Sequence, residues 1–161
     1  MDTVRAFIAI ELPPDVLETL QALQARVKED VPPRLVRWVR PQNIHLTLKF
    51  LGDVPGYKVD PIAEATRAVC ARFAPFSFVI GGMGCFVRKK ILFATVENPS
   101  LEVLYEEVNT FFELPVRRPF VGHVTLMRFK KIVDEAKFYD TLERYHDHPI
   151  GSIGAHQLLM I

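Results

Sequence analysis

The sequence has no apolar run near the roughly 18 residues that a membrane-crossing helix requires. The opening stretch MDTVRAFIAIELPP has too short an apolar segment, and misplaced charges, for a secretory leader. Cysteine is scarce: Cys70 and Cys85 are the only two, without metal or redox spacing. They read as free thiols in a reducing, cytoplasmic compartment. An excess of one charge is also missing. Twenty Lys and Arg face nineteen Asp and Glu, for a net charge of +1. That excludes a uniformly basic surface, so any nucleic-acid contact must come from a local patch. No Rossmann or P-loop fingerprint occurs. GGMG (Gly81–Gly84) lacks the lysine-serine pair and the following helix that a phosphate loop needs.

What is present is an ordinary globular composition, 49% apolar and 24% charged over 161 residues. A single domain spanning 1–161 can bury about 70% of its unfolded surface without disulfides or a metal. VRAFIAIEL reads as a strand, and PPDVLETLQALQARVKED as a helix with Val16, Leu17, Leu20, Leu23 and Val27 on one face, stopped by VPPR. LVRWV and NIHLTLKFLG read as extended, GDVPGYKVD as a loop. Asp60 and Pro61 suit the N-cap and first position of a second helix. PFSFVIGGMGCF predicts a strand that ends at a glycine turn, with ILFATVE as its return. Ser100 is placed as the cap of a third helix, with Leu101, Leu104, Val108 and Phe111 inward. A strand through His123, a helix near Asp134–Tyr145 and a last strand, IGAHQLLMI, complete the chain. The order predicts an α+β fold with largely antiparallel sheets.

Two strands carry the same unusual pattern. NIHLTLKFLG contains His45-x-Thr47-Leu48, and VGHVTLMRF contains His123-x-Thr125-Leu126, 78 positions later. Alternation puts His45, Thr47 and Lys49 on one face, against Ile44, Leu46, Leu48 and Phe50. It likewise groups His123, Thr125 and Met127 against Val124 and Leu126. Each motif thus offers an imidazole and a hydroxyl on a rigid, apolar-backed support.

In-line displacement at phosphorus needs a base for the incoming oxygen and an acid for the leaving oxygen. Histidine serves both roles near neutral pH. The threonine hydroxyls suit the non-bridging oxygens, and Arg128 would add charge-assisted bonds. By parity Arg128 points away from His123, so the strand must end or bulge near Met127 for it to reach the phosphate. Phe50 raises the same issue beside His45. A zinc site on His45 and His123 lacks a carboxylate or thiolate at ligand spacing, so no metal is expected. His146 and His148 belong to a polar loop, and His156 to a strand surface.

At these residues the sequence resembles the two-histidine phosphoesterase superfamily, and within it the RNA 2′,3′-cyclic phosphodiesterases, also called 2′-5′ RNA ligases. The carrying segments are RAFIAIELP, VRWVRPQNIHLTLKFLGDV, FSFVIGGMGCF and RPFVGHVTLMRFKK. The resemblance implies a bilobal fold of two mainly antiparallel sheets flanked by helices, with pseudo-twofold lobes and a central cleft. It implies metal-independent opening of terminal 2′,3′-cyclic phosphates on RNA to 2′-phosphates without a cofactor, with reversible 2′-5′ ligation that needs no ATP. By position His45 would protonate the leaving ribose oxygen and His123 would activate water. Thr47, Thr125 and Arg128 would bind the phosphate, and Phe50 is a candidate for base stacking.

A monomer is expected, with RNA ends or nucleotides as partners and no membrane. Gly122 stands where many relatives have proline, which loosens the start of that strand. Relatives also continue past Ile161 into a further hairpin, whose absence would expose a sheet edge. Arg34, Arg37, Arg40, Arg88, Lys89, Lys90, Arg117, Arg118, Lys130 and Lys131 are available for a basic groove rim. Two other readings stay open: the same chemistry on a small cyclic nucleotide or a 2′-5′ oligonucleotide, and a non-catalytic RNA-binding module.

Overall fold

The computed structural model describes residues 2–31, 36–113, 116, 119–132, 134–155 and 158–160. Arg34, Arg117, Arg118 and His156 lie outside the described residues. The first strand, β1 (Thr3–Ile10), leads into α1 (Pro14–Asp30), where Pro14 takes the first helical position and Asp15 the first turn. The buried stripe of α1 is Val16, Leu20, Leu23, Gln24 and Val27. After β2 (Val36–Trp38) a 3-10 turn at Pro41–Asn43 feeds β3 (Leu46–Pro55). His45 is therefore the residue that leads into β3. Then follow α2 (Gly56–Cys70), β4 (Phe76–Phe86), β5 (Ile91–Glu97), α3 (Pro99–Phe111), β6 (Gly122–Phe129), α4 (Glu135–Tyr145), β7 (Pro149–Ala155) and β8 (Leu158–Met160).

Several local expectations change. The last strand, expected as one, divides into β7 on β4 and β8 on β1. Helix α2 starts at Gly56 rather than at Pro61, because β3 runs through the expected loop to Pro55, which caps it. Strand β4 does not end at the glycines. It passes through them to Phe86, with Gly82 at φ +68° in a bulge opposite β5. The cap of α3 is Asn98, whose side chain accepts from the Ser100 N–H at 2.6 Å. Phe111, expected inward, is 42% exposed at the last turn of that helix.

The described strands form one antiparallel ladder in the order β7-β4-β5-β6-β3-β1-β8, with β2 on β6. Where two sheets were expected, the halves are joined, but only by the single pair Leu46↔Val124 between β3 and β6. Each half carries one His-x-Thr motif. Both residues of the joining pair are fully buried. They belong to one continuous core with Ile8, Ile10, Ile80, Leu92 and Leu126 from the sheet and the inner stripes of α1 and α3. Among the described residues no helix is long and apolar enough to cross a membrane.

Candidate active site

The junction pair organises the site. Residues directly opposite each other on neighbouring strands point to the same face. Leu46 and Val124 both point into the core, so the residues beside them emerge on the other face: His45 and Thr47 from one half, His123 and Thr125 from the other. All four are half-buried. The structure thus brings both motifs to one place, across the narrowest link in the sheet.

Strand registers settle the parity problem. On β1, Ala9 pairs with Thr47 and Phe7 with Phe50. Ala9 and Phe7 are two apart and share a face. Thr47 and Phe50 are three apart, and a bulge at Leu48 in β3 makes up the difference. Phe50 therefore leaves the buried face that plain alternation gives it. It is 61% exposed, with its ring centroid 5.9 Å from that of Phe7. The same thing happens in the other half. Phe93 pairs with Thr125 and Ile91 with Arg128, leaving Leu126 as the extra residue of β6. Leu126 and Met127 are consecutive buried residues, and Arg128 returns to the histidine face, exposed.

A core residue holds this second bulge. Gln24 of α1, 4% exposed, donates from Nε2 to the carbonyls of Leu126 at 2.9 Å and Val39 at 3.0 Å. The Val39 N–H also donates to the Leu126 carbonyl, at 3.0 Å. Gln24 went unremarked in the sequence, although a glutamine on the apolar stripe of α1 is the kind of buried polar group that needs partners.

The two histidines have different surroundings. His45 lies flat on Phe7, centroids 4.5 Å apart and planes 20° apart. Burial lowers its pKa. His123 Nδ1 is 2.8 Å from the Val121 carbonyl oxygen, which can only accept. In the neutral ring the proton therefore sits on Nδ1, and Nε2 carries the free lone pair. Phe86 stands edge-on to this ring at 5.0 Å, and Phe93 meets it at 5.3 Å. Burial is the main cause of its lowered pKa. The Val121 bond opposes the shift, and the charges of Lys89 and Arg128 add to it.

Phe93 lies over Gly84, where a Cβ would come within 2.6 Å of its ring. That close approach is one use of the glycine stretch. Gly122 is likewise tight rather than loose: a Cβ there would sit 2.7 Å from the Val96 carbonyl oxygen. Phe7, Phe86 and Phe93 were not singled out in the sequence, because nothing local separates them from core phenylalanines.

Among the described residues, no group of three or more His, Cys, Asp or Glu is placed to hold a metal ion. Cys70 and Cys85 are free, and burial pushes both thiols up, away from the thiolate form. Arg37, Arg40, Arg88, Lys89, Lys90, Lys130 and Lys131 are all exposed or at the surface, as a groove rim requires. A cavity of about 280 Å³ between the ends of α1 and α4 lies behind β6, lined by Met127, Phe129 and Phe138, away from the histidine face.

A sequence model of the LigT-like phosphoesterases matches residues 10–93, a little over half of the chain, which includes the His45 motif. The chain is 35% identical over 131 residues to the RNA 2′,3′-cyclic phosphodiesterase of Geobacillus stearothermophilus, covering 76% of this chain but only 41% of that protein. It is 35% identical over 141 residues to the enzyme of the same name from Thermotoga maritima, covering 82% of this chain and 73% of the relative. Its fold is that of Escherichia coli LigT, solved with 3′-AMP: TM-score 0.71 at 23% identity, over 99% of this chain and 87% of the other.

Proposed function

The chain belongs to the LigT-like phosphoesterase family, and from that premise we propose that it opens terminal 2′,3′-cyclic phosphates on RNA to 2′-phosphates, by acid-base catalysis between His45 and His123 without a metal ion. The observation that carries this reading is the single-pair junction Leu46↔Val124, which turns both His-Thr pairs to one face.

His123 is the base. Its Nδ1 proton is engaged by Val121, and burial with two neighbouring cations keeps the ring neutral, so Nε2 takes the proton from water. The water oxygen bonds to phosphorus as the bond to the 3′-oxygen breaks. His45 gives its proton to that leaving oxygen. Burial disfavours its imidazolium form in the empty site, and the face of Phe7, which attracts a cation, offsets part of that. The bound phosphate anion favours that form further. Thr47, Thr125 and Arg128 hold the non-bridging oxygens, where charge resides through the transition state. Phe50 offers its exposed ring to the base. With a ribose 5′-hydroxyl in place of water, the same displacement gives a 2′-5′ linkage.

The curated relatives named for this activity support the substrate class. The test is an oligonucleotide ending in 2′,3′-cyclic phosphate, incubated with the protein in EDTA. The expected product is the 2′-phosphate. An intact ring would refute the reading. Opening that is abolished by EDTA would refute the metal-free mechanism.

A further inference from the structure

The histidine face carries more cations and rings than a mononucleotide needs: Lys89 and Arg37, which stands opposite Arg128, add to Arg128, and Phe86 adds to Phe50. Two partly or largely exposed rings flank the histidine pair, in different halves of the sheet. Phe50 belongs to the β1–β3 half beside His45, and Phe86 to the β4–β5 half beside His123. In an in-line reaction the histidines stand on opposite sides of phosphorus, so a single nucleoside attached to that phosphate reaches only one of the two rings. The cleaved cyclic phosphate carries one negative charge, which Arg128 answers. Lys89 is the further cation that stands at Phe86 beside His123, and among the described residues no carboxylate pairs with it.

Lys89 is held in place. Its Nζ lies over the Phe86 ring, 5.0 Å from the centroid. It sits in a tight turn closed by the Lys90 N–H to the Val87 carbonyl at 3.1 Å, with Lys90 at φ +55°. The Phe129 N–H, 3.0 Å from the Lys90 carbonyl, ties that turn to β6 next to Arg128. Phe86 is backed in turn by Phe93, centroids 4.4 Å apart. The result is a supported ring with an ammonium parked on it, at the edge of the reacting centre.

We propose that Phe86 and Lys89 form a second nucleotide station, in which a base stacks on Phe86 and displaces Lys89 onto the phosphodiester linking the last two residues. The enzyme would then read the terminal dinucleotide of an RNA strand. This rests on the cyclic-phosphate reading above and extends it. Stacking is sequence-tolerant, because every base has a π-face, so the station adds length preference with little base preference.

The experiment compares a 2′,3′-cyclic mononucleotide, a dinucleotide and a tetranucleotide, each ending in the cyclic phosphate, at one fixed pH, with the length gain read as a ratio within each variant. The expected result is a rise in kcat/KM of roughly tenfold or more from one to two nucleotides, and little further gain at four. In Lys89→Gln and in Phe86→Leu the one-to-two gain should shrink to about threefold or less. For Lys89→Gln the salt dependence on the dinucleotide should weaken by about 0.7 in logarithmic slope, one phosphate contact on a single strand. Equal wild-type rates on the mononucleotide and dinucleotide would overturn the proposal. So would a Lys89→Gln variant that slows both substrates by the same factor. Brisk opening of the mononucleotide with no length gain would leave the cyclic-phosphate reading intact while removing this one; no opening of any substrate would remove both.

Discussion

Gln24 offers a test of how the fold places Arg128, the proposed phosphate ligand. Its amide makes two buried hydrogen bonds, to Leu126 and Val39 carbonyls. Leu126 is the extra residue whose bulge turns Arg128 toward His123. Gln24→Met keeps the length of the side chain and removes both donors. Each such bond contributes about 1 kcal/mol net, and a buried carbonyl left without a donor costs about 1–3 kcal/mol. Leu126 keeps its bond from the Val39 N–H, so the larger loss falls on the Val39 carbonyl.

A destabilisation of about 1–3 kcal/mol is expected, or roughly 3–10 °C in Tm for a domain of this size. The functional consequence is separate. If the bulge relaxes, Arg128 leaves the phosphate, and kcat/KM falls by up to the value of one charged hydrogen bond, about 1.5–3 kcal/mol. The assay is a double-mutant cycle on kcat/KM, run well below Tm, with Arg128→Ala as the second change. Gln24→Met should slow the wild type about tenfold or more and have little effect once Arg128 is gone. An equal slowing in both backgrounds would refute the coupling through the bulge and leave Gln24 as a purely structural residue.

Further outcomes follow from the site. His45→Ala and His123→Ala should each cost on the order of a hundredfold or more in kcat, with smaller effects on KM, as measured by initial rates on a cyclic-phosphate end. The acid limb of the kcat/KM profile should lie below the ordinary histidine value of 6.5, because burial and the charges of Lys89 and Arg128 resist protonation of His123. Stability has the matching sign. Both histidines have lowered folded pKa values, so the unfolded chain binds more protons below pH 6.5. Denaturant midpoints should thus fall as pH drops from 6.5 toward the lowered values and lose this dependence above 6.5. Phe50→Ala should leave Tm nearly unchanged, since the ring is 61% exposed, while raising KM by roughly fivefold or more if a base stacks there. Gly122→Ala should destabilise by about 1–3 kcal/mol in chemical denaturation, because its Cβ meets a backbone oxygen that cannot yield.

The two His-x-Thr segments were legible because strand parity is a local property: one residue in, one out. The apolar stripe of α1 was legible for the same reason. What escaped was decided by partners distant in sequence. Helix α2 begins at Gly56 because β3 continues to pair with β1 as far as Pro55, which no local pattern announces. GGMG looks like a turn, yet Gly84 is a flat place in a strand, needed by a ring across the ladder at Phe93.

Phe50 and Arg128 show the reason most clearly. Plain alternation sends both away from the histidines, and in each strand one extra residue reverses that. A bulge is invisible locally. In β6 it is fixed by a glutamine 102 positions away. Yet Phe50 and Arg128 each stand five residues after a motif histidine, 78 positions apart, the same offset as the histidines themselves. The internal repeat is therefore longer than His-x-Thr-Leu. It is a bulged strand that presents three side chains to one face: imidazole, hydroxyl and, five positions on, a group for the substrate. In one half that group is an aromatic ring, in the other a guanidinium. The repeat brings two imidazoles and two hydroxyls to one face, and its last position sets the halves apart: an exposed ring at Phe50 in one, an exposed guanidinium at Arg128 in the other.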